Sequence, residues 1–142
     1  MTGEPAFAGA KIALVAGDRV LTHLRDDFPD LSFPGYWDFP GGGLEGDETP
    51  EACALRELHE EYGLILPESR LIWRRDYRAH DAPDMPVAFF GGQITQAEID
   101  AIVFGDEGQY WQMMEIALFL SHERAVPYLR TRLADFIAAN II

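Results

Sequence analysis

Residues 42–64, GGLEGDETPEACALRELHEEYGL, constrain this chain more tightly than any other stretch. Thr49 suits a helix N-cap, Pro50 the first helical position, Glu51 the positive end of the helix dipole, and Gly63 the C-terminal stop. Between them lies one helix. At about 100° per residue, Glu57, Glu60 and Glu61 fall on one face, while Leu55, Leu58 and Tyr62 fall well away from it. Like charges three and four residues apart repel, so the acidic face calls for something positive beside it. A divalent metal is the natural candidate, since hard cations such as Mg²⁺ take carboxylate oxygens and share their other sites with water and substrate phosphates. The plainer reading is a solvated, charged helix face, which is common for an isolated RELHEE. The spacing predicts a helix with an apolar back for a sheet and an acidic front for a cleft.

The flanking pattern supplies the sheet. Residues 11–16 (KIALVA) and 19–25 (RVLTHLR) read as strands joined by Gly17-Asp18, a dipeptide suited to a tight hairpin. Residues 26–35, punctuated by prolines and aspartates, read as a loop, and Tyr36-Trp37-Asp38-Phe39 as a short extended piece leading to a glycine turn at 40–43. Residues 70–78 and 85–94 are further strands. A capping box, Thr95-Gln96-Ala97-Glu98, opens a short helix over 96–103. Then come a strand over 109–113, a short helix over 115–120 and a last helix over 127–139, with Leu129, Leu133, Phe136 and Ile137 spaced for burial. Residues 1–9, rich in Gly, Pro and Ala, read as a loose lead-in to a single domain over 10–142.

Composition narrows the class of function. A chain of 142 residues suits one domain with a real hydrophobic core. Its net charge of −13 argues against nucleic-acid polymers and anionic membranes as partners, because both call for a basic face. A polyanionic substrate would have to be met by metal ions or local arginines. No window approaches the roughly 18 apolar residues of a membrane span. The single cysteine, Cys53, has no disulfide partner, and the N-terminus lacks a basic region followed by an apolar run, so the expected compartment is the cytoplasm. Cys53 itself reads as a small packing residue. His23 and His80 lack metal-ligand spacing and read as surface residues.

Gly42, five residues, Glu48, seven residues, then Arg56-Glu57-Leu58-His59-Glu60-Glu61-Tyr62-Gly63-Leu64 fills every fixed position of G-x5-E-x7-R-E-U-x-E-E-x-G-U, with U aliphatic. On that box, and on the Trp37-x-x-Pro40-Gly41-Gly42 approach to it, the chain resembles the Nudix hydrolase family (MutT-like). The resemblance implies an α/β fold, a Nudix-type α/β/α sandwich with a mixed central β-sheet. It implies metal-dependent hydrolysis of a diphosphate linkage in a nucleoside diphosphate derivative by water attack on phosphorus, with Mg²⁺ or Mn²⁺ as cofactor.

Residue by residue, the resemblance places Glu57, Glu60 and Glu61 at the metal, with Gly42 beside them. Arg56 orients a glutamate within the loop–helix unit, and Glu48 supports the loop. Asp106-Glu107 sits in a turn before Tyr110-Trp111, where the family's later-loop carboxylate falls. Glu107 is the favoured extra ligand or general base, with Asp106 and Glu57 as competitors. Trp37, Arg75 and Tyr77 are candidate substrate contacts, against the plainer reading of strand aromatics as core and strand arginines as exposed. The sub-family is unresolved: Leu24 and Leu31 stand where the upstream motif of the coenzyme A pyrophosphatases has arginines. A small nucleoside triphosphate or nucleotide sugar is the expected partner, and a homodimer is left open. The alternative is a catalytically silent module of the same fold that binds a nucleotide as a sensor or interaction domain.

Overall fold

The computed structural model describes residues 7–141. Of the expected lead-in over 1–9, residues 1–6 lie outside the described residues, and Gly9 already belongs to the first strand. Strand β1 (Gly9–Ala16) turns through Gly17-Asp18 into β2 (Arg19–Leu24), with Val15 opposite Val20 and Ala16 opposite Arg19. Short β3 (Trp37–Asp38) pairs antiparallel with β2, and β4 (Gly41–Gly43) pairs antiparallel with β1. The expected glycine turn is therefore a strand, its backbone groups satisfied by β1.

Helix α1 (Pro50–Tyr62) follows, then β5 (Trp73–Arg78) and β6 (Pro86–Gln93) as an antiparallel pair. Strand β6 runs parallel to β1, from Gly9 opposite Val87 to Val15 opposite Gln93. After α2 (Gln96–Asp100), β7 (Tyr110–Glu115) pairs antiparallel with β2, and α3 (Ile116–Ser121) and α4 (Pro127–Ala138) complete the chain. The sheet is mixed, with seven strands in the order β3-β2-β1-β6-β5, while β4 and β7 join through β1 and β2.

Alternation along β1 feeds two cores. Ile12 and Leu14 pack with Leu58 and Tyr62 of α1, whereas Ala13 and Val15 pack with Phe119 of α3 and Leu129, Leu133 and Phe136 of α4. Covering both faces of the sheet explains why KIALVA is apolar without a break after its lysine. The result is the α/β/α sandwich. Among the described residues no helix is long and apolar enough to cross a membrane.

The two helix ends expected for α1 form as read. Thr49 Oγ1 accepts from the Ala52 N–H at 3.1 Å, and Gly63, at φ 70°, donates its N–H to His59 O. Two other boundaries differ. The strand expected over 70–78 begins at Trp73, because residues 68–70 form a 3₁₀ turn in which the Arg70 guanidinium is held by both Glu98 oxygens at 2.7 Å. The capping box at Thr95 forms, but α2 ends at Asp100, not 103, because the next backbone groups turn to α1. Val103 N–H donates to Tyr62 O at 3.0 Å and Gly105 N–H to Glu61 O at 2.9 Å, satisfying carbonyls that the end of α1 leaves open.

Candidate active site

The buried back of α1 sets its rotation. Cys53, Ala54, Leu58 and Tyr62 have no exposed surface, and burying a large apolar side chain stabilises by about 1.5–3 kcal/mol, so the helix is held firmly in this orientation. Glu57 and Glu61 then face β4. Glu61 accepts from the Gly41 N–H at 3.0 Å. A Cβ at position 42 would lie 2.2 Å from Glu57 Oε2, so glycine lets the strand pass directly against that carboxylate. The Gly42 carbonyl turns the other way, into the sheet beside Gly9 and 3.5 Å from Cys53 Sγ.

The loop after α2 brings the other acid. Anchored to α1 through Val103 and Gly105, it is also tied to the first hairpin, since Gly108 N–H donates to Asp26 Oδ2 at 3.1 Å and Gln109 N–H to Leu24 O. Between these ties sits Glu107. It joins Gly41, Gly42, Gly43, Glu57 and Glu61 around one cleft of about 480 Å³, whose lining also includes Lys11, His23, Arg25, Asp26 and Asp38.

Charge is unevenly settled in this cleft. Asp38 is buried, which by itself would raise its pKa. Lys11 at 3.0 Å, then His23, then Arg25 at 2.9 Å hold it instead at about 2. Glu61 has no such compensation. Burial, joined by Glu57 and Asp38, lifts its pKa to about 8 against the pull of Lys11 and the Gly41 N–H. Burial, and after it Glu60 and Glu107, also raises Glu57, despite Arg56. Five carboxylates line the cleft against two cationic side chains, both committed to Asp38.

Arg56 organises the loop before α1. It forks onto Glu48 through Nε at 3.1 Å and Nη2 at 2.8 Å, donates to Gly43 O at 3.0 Å, and reaches Glu57 at 3.4 Å and Glu60 at 3.3 Å. Glu60 is consequently engaged by Arg56 on the exposed side of the helix and does not line the cleft. Of the acids on the helix face, the structure thus brings Glu57 and Glu61 together and sets Glu60 apart.

The structure places the three expected substrate contacts away from this cleft. Trp37 is buried, packed edge-on against Tyr110 and His122. Arg75 pairs with Asp135 at 3.4 Å, and the Tyr77 hydroxyl donates to the same carboxylate at 2.8 Å. None of the three lines the cleft, because β3 and β5 present these side chains to the α3 and α4 layer. Lys11, Asp38 and Arg25, which sequence reasoning passed over, line the cleft instead. A lysine opening an otherwise apolar strand, and an aspartate between two buried aromatics, were the available signals.

His23 is also not a surface residue. It is 6% exposed, and its Nδ1 meets the Tyr62 hydroxyl. Burial, with Lys11 and Arg25 and against Asp38, lowers its pKa to about 4. Protonation therefore favours the unfolded chain. Stability from this group is full above the ordinary value of 6.5 and is lost as pH falls from 6.5 to about 4. At about 1.4 kcal/mol per pKa unit the loss is at most about 3.5 kcal/mol. Urea unfolding between pH 7 and 4 is expected to show it, and His23→Gln to flatten that segment. An unchanged slope in the variant would rule His23 out as the source. Cys53 is buried, and its thiol is pushed up to about 11 by burial and then by Glu48, so it stays a packing residue.

No three His, Cys, Asp or Glu among the described residues form a ready-made metal cage. Mg²⁺ does not require one, since it commonly binds one or two carboxylates plus substrate phosphates and water. The donor set here suits such an ion. The carboxylates of Glu57, Glu61 and Glu107 offer it hard oxygens, and Glu61, raised by burial, has the Gly41 N–H as its hydrogen-bond donor.

A three-layered α/β/α protein with an acidic cleft walled by a glycine strand is what fold and site define. This chain belongs to the NUDIX family: the sequence profile of the NUDIX domain matches residues 8–133. It is 48% identical over 62 residues to an 8-oxo-dGTP diphosphatase of Proteus vulgaris, a stretch covering 44% of this chain and 53% of that protein. It is 36% identical over 98 residues to an RNA pyrophosphohydrolase of Acidiphilium cryptum, covering 66% of this chain and 58% of the relative. The chain thus spans little more than half the length of either. Among solved structures, a MutT protein from Methanosarcina mazei superposes over 100% of both chains with a TM-score of 0.73 at 17% identity, a likeness of fold.

Proposed function

We propose that this chain is a pyrophosphohydrolase of the cytoplasm that opens a diphosphate linkage in a nucleoside diphosphate derivative, water attacking phosphorus. The observation that carries the reading is the convergence of Glu57, Glu61 and Glu107 with the glycine strand on one cleft. Glu57 and Glu61 would hold Mg²⁺ or Mn²⁺, and Glu60 would join them by exchanging its pairing with Arg56 for the ion. When bound, such an ion polarises the phosphoryl group and offsets its charge. Gly41, Gly42 and Gly43 let a phosphate approach the backbone where side chains would obstruct it. Lys11 and Arg25, set in the cleft by Asp38, supply positive charge to the substrate's oxygens. Arg56 positions Glu57 and clamps the loop through Glu48. Glu107 takes the proton of the attacking water, with Glu57 as the competing base.

The test is a hydrolysis screen over nucleoside triphosphates, nucleotide sugars and dinucleotides, with and without Mg²⁺ or Mn²⁺. Metal-dependent release of a nucleoside monophosphate is expected, and Glu107→Gln is expected to slow it by roughly 10²–10⁴-fold, as for loss of a general base. Absence of turnover across the panel, beside an active control enzyme, would overturn the reading.

A further inference from the structure

A second cavity, of about 200 Å³, adjoins the carboxylate cleft, and Lys11, Gly42 and Gly43 line both. One side of it is aromatic, and Asp81 also lines it. His80 stacks on Tyr128 with centroids 5.2 Å apart, and Phe33 packs against both rings at 5.5 and 5.9 Å. Arg132 also lines it and is only 7% exposed. Its guanidinium lies over Tyr77 at 4.8 Å and Tyr128 at 4.6 Å, and its Nη2 donates to Arg78 O at 3.2 Å. Among the described residues no carboxylate stands within ion-pair distance of it, unlike Asp38, whose burial is matched by two cations.

A buried guanidinium without an anion leaves strong donors in search of acceptors. It has five N–H groups and no acceptor of its own, so whatever fills the cavity must present oxygen or bare nitrogen to it. The aromatic wall selects a flat ring. The volume, below the roughly 300–1,000 Å³ usual for sites that take a whole drug-sized ligand, suits a heterocycle and not an entire nucleotide. Phosphates would lie across β4 in the larger cleft.

We propose that this cavity is the base-recognition pocket of the enzyme and that Arg132 reads the base, selecting one with adjacent carbonyl and ring-nitrogen acceptors, as guanine has. The proposal rests on the nucleotide reading of the neighbouring cleft. Guanine O6 and N7 match the guanidinium fork, whereas adenine turns its amino group, a donor, toward a donor. His80, exposed at the pocket, provides the stacking face.

Calorimetric titration with GMP, AMP and ribose 5-phosphate, in the presence of Mg²⁺, tests this on the native chain, on Arg132→Gln and on His80→Ala. GMP is expected to bind more tightly than AMP. Arg132→Gln should weaken GMP by roughly 5- to 150-fold, the range for one bidentate base contact, and leave AMP and ribose 5-phosphate unchanged. His80→Ala should weaken GMP and AMP alike by roughly 2- to 10-fold and spare ribose 5-phosphate. Should Arg132→Gln unfold, Arg132→Lys keeps the charge and loses the fork, and the same loss of preference is expected.

Equal binding of all three probes by the native chain would overturn the proposal, as would a GMP-to-AMP ratio that survives both arginine substitutions. If diphosphates are hydrolysed without base discrimination, the pocket assignment falls and the hydrolase stands. If GMP preference depends on Arg132 but nothing is hydrolysed, the pocket stands and the hydrolase falls.

Discussion

Glu61→Gln is expected to cut turnover by at least roughly a hundredfold while leaving the fold intact and no less stable. Partners one shell out from a metal typically contribute 10- to 100-fold, and a carboxylate proposed to hold the ion itself contributes at least the upper end of that. The stability half of the expectation has a separate cause. Glu61 is a buried acid whose pKa is lifted to about 8, first by burial and then by Glu57 and Asp38. Its ionised form is therefore held in the folded chain at a cost. A glutamine keeps an oxygen to accept from the Gly41 N–H, now at 3.0 Å from Glu61, and removes the charge. Steady-state hydrolysis with saturating Mg²⁺, run beside thermal unfolding of the metal-free protein, measures both. Turnover close to that of the native chain would remove Glu61 from the proposed metal set, and a large drop in melting temperature would make it a structural residue instead.

Gly41→Ala is expected to destabilise by about 3–5 kcal/mol, the sum of a strained backbone and an overpacked contact. Gly41 sits at φ 143°, and a Cβ there would lie 2.2 Å from Ala10 O and 2.6 Å from Lys11 Cα. Those are atoms of β1, which cannot move without disturbing its pairing with β6 as well. Gly46→Ala is the control. It has φ 57° with nothing within 4 Å of an added Cβ, so only the left-handed backbone is penalised, at about 1–2 kcal/mol. Urea unfolding of the two variants separates crowding from backbone strain. Equal losses would mean that the contact with β1 relaxes freely. Against a typical domain stability of about 5–15 kcal/mol, the expected loss at Gly41 is large. It would also weaken the donor that holds Glu61.

Local rules explain why so much of the α1 unit was readable. Thr49, Pro50 and Gly63 act within one turn of the helix they bound, and Glu57 and Glu61 share a face because of helical period alone. The hairpin at Gly17-Asp18 and the capping box at Thr95 are likewise short-range. Failures came where a distant partner intervened. Glu98 captures Arg70, so that β5 opens only at Trp73, and the end of α1 takes the amides that would have prolonged α2. His23 looked like a surface residue because nothing near it in sequence announces that Tyr62 and Phe104 will cover it.

The sequence by itself determined the family, the helix that carries the acids and the apolar back that orients it, since each depends on residue types at fixed spacing along one segment. Tertiary structure decided which acids meet. Glu60 was drawn to Arg56, Glu107 was delivered to the cleft by a loop anchored on α1, and Lys11 and Arg25 were brought to Asp38 from two other strands. It also set Arg132 of α4 beside the aromatic cavity, far along the chain from the glycines that border it. Charge balance and shape in a cleft are sums over neighbours from every element, and only folding assembles those neighbours.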